Sequence, residues 1–315
     1  MTSLSILDRD APFSVIIPTL NGVTDLQELL SSFRIQTAKP RKIFVVDSSS
    51  TDNTVEVARQ YGAEVMVIER DTFDHGGTRT MASNRTSAEI LVFLTQDVLP
   101  AHRSVLENLV QPLITDSAVA ASYGRQLPCF DAHEAARHLR MFNYPDTSCL
   151  KDYSDRKQLG LSTVFISNSC AAYNKKNLEE VGFFRDGLIF GEDTCTVGRL
   201  LENGYKVAYV AEAAVYHSHN YSWSEEFKRY FDIGVLHSTE KWLLETYGTA
   251  EKRGVNYIKS GVSYFSSRRK YSLIGDFMVR VLLKYAGYQF GRRYYLLPEH
   301  IVPGLSMHRK WWKKS

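Results

Sequence analysis

Apolar and polar positions alternate between two periods over the first part of the chain. Short β-branched runs read as strands: FSVIIPTL (13–20), KIFVVDSSS (42–50), AEVMVIE (63–69) and ILVFLTQDV (90–98). Between them the spacing turns helical. DLQELLSSFRIQT puts Leu26, Leu29, Leu30 and Phe33 on one face, TDNTVEVARQYG stops at Gly62, and TRTMASNRTSAEI and HRSVLENLVQPLI follow the third and fourth runs. This rhythm predicts an α/β fold with a mainly parallel central sheet flanked by helices. Ligands of such sheets sit beyond the C-terminal strand ends. The polar residues there are Thr19 and Asn21, then Asp47, then Asp74 and His75, then Gln96 and Asp97.

The second half is less regular. Residues 126–162 read as loop with some helix, and TVFISNSCAAYNK as a strand pair or strand and turn. KKNLEEVGFF is a short helix ended by Gly182, and GEDTCTVGRLLENGY an acid-headed helix ended by Gly204. KVAYVAEAAVYHSHNYS returns to strand and finishes in His217 and His219. From residue 223 the pattern is helical, aromatic and basic. The predicted division is a catalytic domain over 1–222 and a helical C-terminal region over 223–315, for packing or membrane association.

Composition narrows the class. With 44% hydrophobic and 23% charged residues among 315, the chain is an ordinary globular one. The net charge is only +3, but Lys and Arg crowd the last fifty residues. With no recognition module, that indicates a local basic surface and no nucleic-acid partner. Four scattered cysteines suit free thiols in a reducing compartment. The start lacks a leader pattern, and no run reaches the ~18 apolar residues of a membrane span. A cytoplasmic protein is expected.

No GxGxxG follows the first strand, and neither a P-loop nor a GxSxG elbow occurs, which disfavours dehydrogenases, P-loop NTPases and serine hydrolases. An Asp97 carboxylate at a strand tip suits a hard divalent cation bridging phosphates, or simply a turn. His217 and His219 lie just past a strand; alternation is taken to send them opposite ways, so at most one is expected to face the site. Glu192 and Asp193 open a helix, where acids are common for dipole reasons alone; the functional alternative is a general base for a hydroxyl. In TFDHGGTRT, Gly76 and Gly77 allow close backbone approach, and a helix N-terminus with Arg79 suits a diphosphate.

These pieces, in this order, resemble family 2 glycosyltransferases of the GT-A fold, which are inverting and nucleotide-sugar dependent. VIIPTLNG looks like the opening strand and turn, VVDSSSTDNT like the nucleotide-binding stretch, HGGTRTMASN like the Gly-rich helix start, TQDV like the metal-binding Asp-x-Asp, and GEDTCTVGR like the acidic motif; the likeness spans about residues 13–220. Ser48 stands where many members have a second Asp, and Gln96 replaces an acid. VDSSSTD, FDHGGTR and TQDV together resemble the bacterial dTDP-rhamnose-dependent rhamnosyltransferases, though Thr80 stands where that branch often has Asn.

The resemblance implies that Asp47 bonds the base, with Pro18, Thr19 and Asn21 near the nucleoside. Asp97, Mg²⁺ or Mn²⁺, and His217 or His219 meet the diphosphate. Asp74, His75, Gly76, Gly77, Arg79 and Gln96 line the donor site. Asp193 is the base, with Glu192 beside it on the acceptor side. The implied acceptor is a saccharide on a polyprenyl diphosphate in surface-polysaccharide or O-antigen assembly. The enzyme is then peripheral on the cytoplasmic face of the bacterial inner membrane, touching lipid through basic residues and Trp311 and Trp312; homo-oligomer formation stays open. The alternatives are the same fold using UDP-GlcNAc or UDP-galactose, and a non-catalytic docking protein.

Overall fold

The computed structural model describes residues 7–8, 10–249 and 251–313. The first six residues of the stretch read for a leader, and Lys314 of the basic tail, lie outside them. The four predicted strand runs form β1 (Phe13–Thr19), β2 (Ile43–Asp47), β3 (Glu64–Val67) and β4 (Ile90–Leu94), joined by α1 (Val23–Ser32), α2 (Thr54–Gln60) and α3 (His75–Ser83). Then come β5 (Leu99–Pro100), α4 (Val105–Thr115), β6 (Val119–Leu127), α5 (Glu134–Asn143), β7 (Cys149–Lys151), α6 (Arg156–Leu159), β8 (Cys170–Asn174), α7 (Lys175–Glu180), α8 (Glu192–Glu202) and β9 (Lys206–Tyr216). The chain continues as α9 (Trp223–Thr239), α10 (Lys241–Tyr247), α11 (Glu251–Ser267), α12 (Ser272–Arg292) and the short α13 (Val302–Leu305).

The strands form one sheet in the order β3-β2-β1-β4-β8-β6-β9-β5, with β7 also on β9. β1 to β4 pair in parallel as predicted. The rest is mixed: β8 runs antiparallel to both β4 and β6, while β6 and β9 are parallel. Of residues 163–175 only Cys170–Asn174 is strand, reversed, so the strand-and-turn alternative holds and the pair does not. The reversal has a consequence for the site. The N-terminal end of β8 lies beside the C-terminal end of β4, through Cys170 opposite Leu94. The sequence pattern also missed β6, whose VAASYGRQL run is rich in small residues rather than β-branched ones.

Alternation along the strands fills both faces of the sheet. Ile16, Phe44 and Phe93 enter one core, and Val15, Ile17, Val45, Val92 and Leu94 the other, against Leu26, Leu29 and Phe33. The first core continues past residue 222. Phe231, Val235 and Leu236 of α9 and Leu243 and Tyr247 of α10 join it. Trp312 packs against the same core, with Phe231 and Tyr294 at ring distances of 6.4 and 5.3 Å, and Trp311 donates to the Gly187 carbonyl at 2.8 Å. The two tryptophans expected at a lipid rim thus pack onto the protein.

Candidate functional site at the C-terminal end of the sheet

The loops after β1, β2 and β4 are tied together by side chains. Asn21 takes a left-handed φ of 47°, which Asn tolerates. Its backbone N–H donates to Ser50 Oγ at 2.8 Å, and its Oδ1 accepts from the Thr51 N–H at 2.8 Å. Gln96 pairs both ways with the Leu20 backbone, accepting at 2.9 Å and donating at 3.2 Å. Pro18 sits where the β1–β4 ladder has already ended at Ile16 and Phe93, so its missing N–H costs that ladder nothing. Asp47 is fully buried. Its Oδ2 accepts from Thr19 Oγ1 at 2.8 Å and Ser50 Oγ at 2.6 Å, and its Oδ1 from the Ser50 N–H at 2.7 Å. The carboxylate expected to bond a base is enclosed, and it shapes the turn that would.

The FDHGGTR loop differs from expectation in the same sense. α3 begins at His75, one residue after Asp74, so both glycines lie within its first turn. Asp74 caps the helix through the Gly77 N–H at 2.7 Å and bonds the Gly187 N–H at 3.1 Å. A Cβ on Gly76 would stand 1.8 Å from the Arg185 carbonyl oxygen. The close backbone approach at Gly76 is therefore to the 185–187 loop. The His75 ring meets Phe73 and His308 edge-on. Arg79 is buried. Its Nη1 lies 3.0 Å from Glu192 Oε1 and donates to the His75 carbonyl at 3.0 Å. The guanidinium expected to reach a diphosphate is spent on a carboxylate.

Glu192 and Asp193 open α8 behind Gly191, whose φ is +79°. Burial would raise the Glu192 carboxyl, but Arg79, His75 and Asn168 outweigh it and hold it low. Asp193 goes the other way. Burial and the neighbouring Glu192 charge push it up to about 6, which suits a base working near neutral pH. Arg199 donates to the Val181 and Phe183 carbonyls at 2.5 Å each, fixing the turn after α7.

The third limb is Asp97, His217 and His219, whose candidate ligand atoms lie within 4.8 Å of one another. His217 Nδ1 is 3.5 Å from Asp97 Oδ2. Both imidazoles turn to the carboxylate, against expectation, because residues two apart in an extended segment share a side. His217 is buried, and its Nδ1 lacks a hydrogen-bond partner among the described residues. Burial pushes it down to about 3, so the ring is neutral, the form that ligates metal. An orphaned buried imidazole nitrogen, a second imidazole and a carboxylate fit a divalent cation.

One tripeptide joins the limbs. Ser167 Oγ accepts from Gln126 Nε2 at 3.0 Å, and Gln126 Oε1 accepts from Arg140 at 2.6 Å. Asn168 donates its backbone N–H to Asp193 at 3.2 Å and its Nδ2 to Glu192 at 3.1 Å, while its Oδ1 accepts from the buried Tyr173 hydroxyl at 2.8 Å. Ser169 Oγ is 3.2 Å from His217 Nε2. Sequence reasoning missed all three, because they precede a strand and only C-terminal strand ends were searched. The signal was the polar triplet inside FISNSCAAY.

A mixed sheet with parallel first strands, a carboxylate–imidazole cluster and the Glu192–Asp193 pair at one end, and a serine-rich turn after β2 define a GT-A glycosyltransferase. A mannosyltransferase from Pyrobaculum calidifontis, solved with GDP-Man and Mn²⁺, shares this fold: TM-score 0.60, 16% identity, over 91% of this chain and 89% of that one. The profile of Glycosyl transferase family 2 matches residues 14–182. The O-antigen chain rhamnosyltransferases WbaN of Salmonella anatum and RfbN of Salmonella typhimurium are each 38% identical, over 95% of this chain and 95% of their own length. The chain belongs to glycosyl transferase family 2 and is an inverting glycosyltransferase.

Proposed function

We propose that the enzyme transfers L-rhamnose from dTDP-β-L-rhamnose to a saccharide acceptor carried on a polyprenyl diphosphate, during O-antigen assembly at the cytoplasmic face of the bacterial inner membrane. The observation that carries this reading is the 38% identity to two O-antigen chain rhamnosyltransferases over 95% of each chain. The catalytic domain is residues 1–222, and residues 223–315 form its helical C-terminal region.

Asp193 accepts the proton of the acceptor hydroxyl. The freed oxygen attacks the anomeric carbon from the side opposite the diphosphate. The C1–O bond breaks, its electron pair leaves with the β-phosphate oxygen of dTDP, and the anomeric configuration inverts. Glu192, held ionised by Arg79, keeps Asp193 basic and fixes Asn168. Thr19, Asn21 and the Ser48–Ser50 turn face the nucleoside, with Asp47 and Gln96 positioning them. Asp97, His217 and His219 would hold a divalent cation, Mn²⁺ or Mg²⁺, which when bound supplies charge stabilisation to the departing diphosphate. Asp97→Ala should weaken dTDP binding in the presence of Mn²⁺ at least about tenfold by calorimetry. Unchanged affinity would move the metal site elsewhere.

A further inference from the structure

α12 is charged on the inside and apolar on the outside. Inward, Arg280 Nη1 lies 3.5 Å from Glu226 of α9, and Arg280 Nε 2.8 Å from Asp276. Lys284, also buried, lies 3.4 Å from Glu226 and donates to the Tyr257 hydroxyl at 3.1 Å. Outward, Tyr271 just before the helix and then Ile274, Met278, Leu282 and Tyr285 recur at three- and four-residue spacing, with no charge among them. Tyr271, Leu282 and Tyr285 are 64%, 63% and 65% exposed. A helix on a free surface shows the opposite arrangement.

Charge identifies the partner. Arg268 and Arg269 precede the helix and Arg293 follows it, and among the described residues none of the three forms an ion pair with a carboxylate. The helix is about 30 Å long, so cations bracket the apolar face at both ends. Two copies packed through this face would oppose arginine to arginine, whether α12 ran parallel or antiparallel to itself. An anionic sheet of phosphates with hydrocarbon beneath complements both features. No described helix is long and apolar enough to cross a membrane, so contact is along the surface.

We propose that the outer face of α12 lies flat on an anionic bilayer, with Leu282 and Tyr285 in the headgroup–acyl boundary and Arg269 and Arg293 against lipid phosphates. This deepens the membrane-proximal reading above and rests on it, but it moves the contact from Trp311 and Trp312 to a different surface.

The test is co-sedimentation of the full chain with vesicles of phosphatidylcholine, alone or mixed with phosphatidylglycerol. The wild type should bind the mixed vesicles, and salt should weaken binding. Leu282→Glu with Tyr285→Glu, and separately Arg269→Glu with Arg293→Glu, should each lower partitioning at least about tenfold while retaining the thermal shift with Mn²⁺ and dTDP. Wild-type binding by both folded double variants overturns the proposal. So does a wild-type dimer in sedimentation velocity that the Leu282/Tyr285 variant splits while neither protein binds vesicles, since the face would then belong to a second copy. Vesicle binding lost in the variants but no rhamnose transfer by the wild type supports this surface and refutes the activity.

Discussion

Two adjacent carboxylates in one helix turn acquire different chemistry because their partners differ. Glu192 has a buried arginine; Asp193 has two backbone N–H groups and a like charge beside it. As the proposed base, Asp193 works only unprotonated, and burial and the Glu192 charge push its carboxyl up to about 6. Transfer should therefore be lost as pH falls through that value and be full above it. A rate–pH profile checks this; a rate that does not fall on acidification would remove Asp193 as the base. Asp193→Asn should lower kcat about 10²–10⁴-fold with dTDP affinity retained. Arg79→Met should cost about 3–5 kcal/mol in urea unfolding, because it leaves Glu192 buried and unpaired, and adding Glu192→Gln should recover much of that. A loss as large in the double variant would show that the guanidinium is needed for packing alone. The acidic pair was legible in sequence as a pair. The pairing that distinguishes its members was not: Arg79 and Glu192 are 113 positions apart, and their meeting depends on α3 lying against α8.

At the scale of elements, the parallel half of the sheet was legible because each strand there is β-branched and followed by a helical pattern. The reversed β8 was not, since periodicity carries no direction, and with it went the tripeptide that joins Asp193 to His217. Glycines mark other junctions that depend on tertiary contact. A Cβ on Gly291 of α12 would stand 2.0 Å from the Phe231 carbonyl oxygen of α9, and one on Gly287 2.3 Å from that of Phe227. These positions let the two helix backbones touch. Gly291→Ala should destabilise by about 1–3 kcal/mol in denaturant titration. An unchanged midpoint would mean that the helices separate at no cost and that α12 is loosely held.

Across the whole molecule, one core runs from the sheet into α9 and α10, and the C-terminal segment returns to the catalytic end. Met307 donates its N–H to the buried Asp232 at 3.0 Å, His308 stands between His75 and Phe190, and Trp311 bonds Gly187, the residue that also bonds Asp74. The region beyond residue 222 thus helps to hold the 185–187 loop and the start of α3 while α12 presents its outer face elsewhere. The account's central claim is the reaction itself. Its most direct test incubates the enzyme and Mn²⁺ with dTDP-rhamnose, UDP-GlcNAc or UDP-galactose and a polyprenyl-diphosphate-linked saccharide, then determines the product linkage by NMR. The account predicts α-rhamnoside from dTDP-β-L-rhamnose alone, lost when the metal is chelated. Transfer from a UDP-sugar in preference, or a product with retained β configuration, would contradict it.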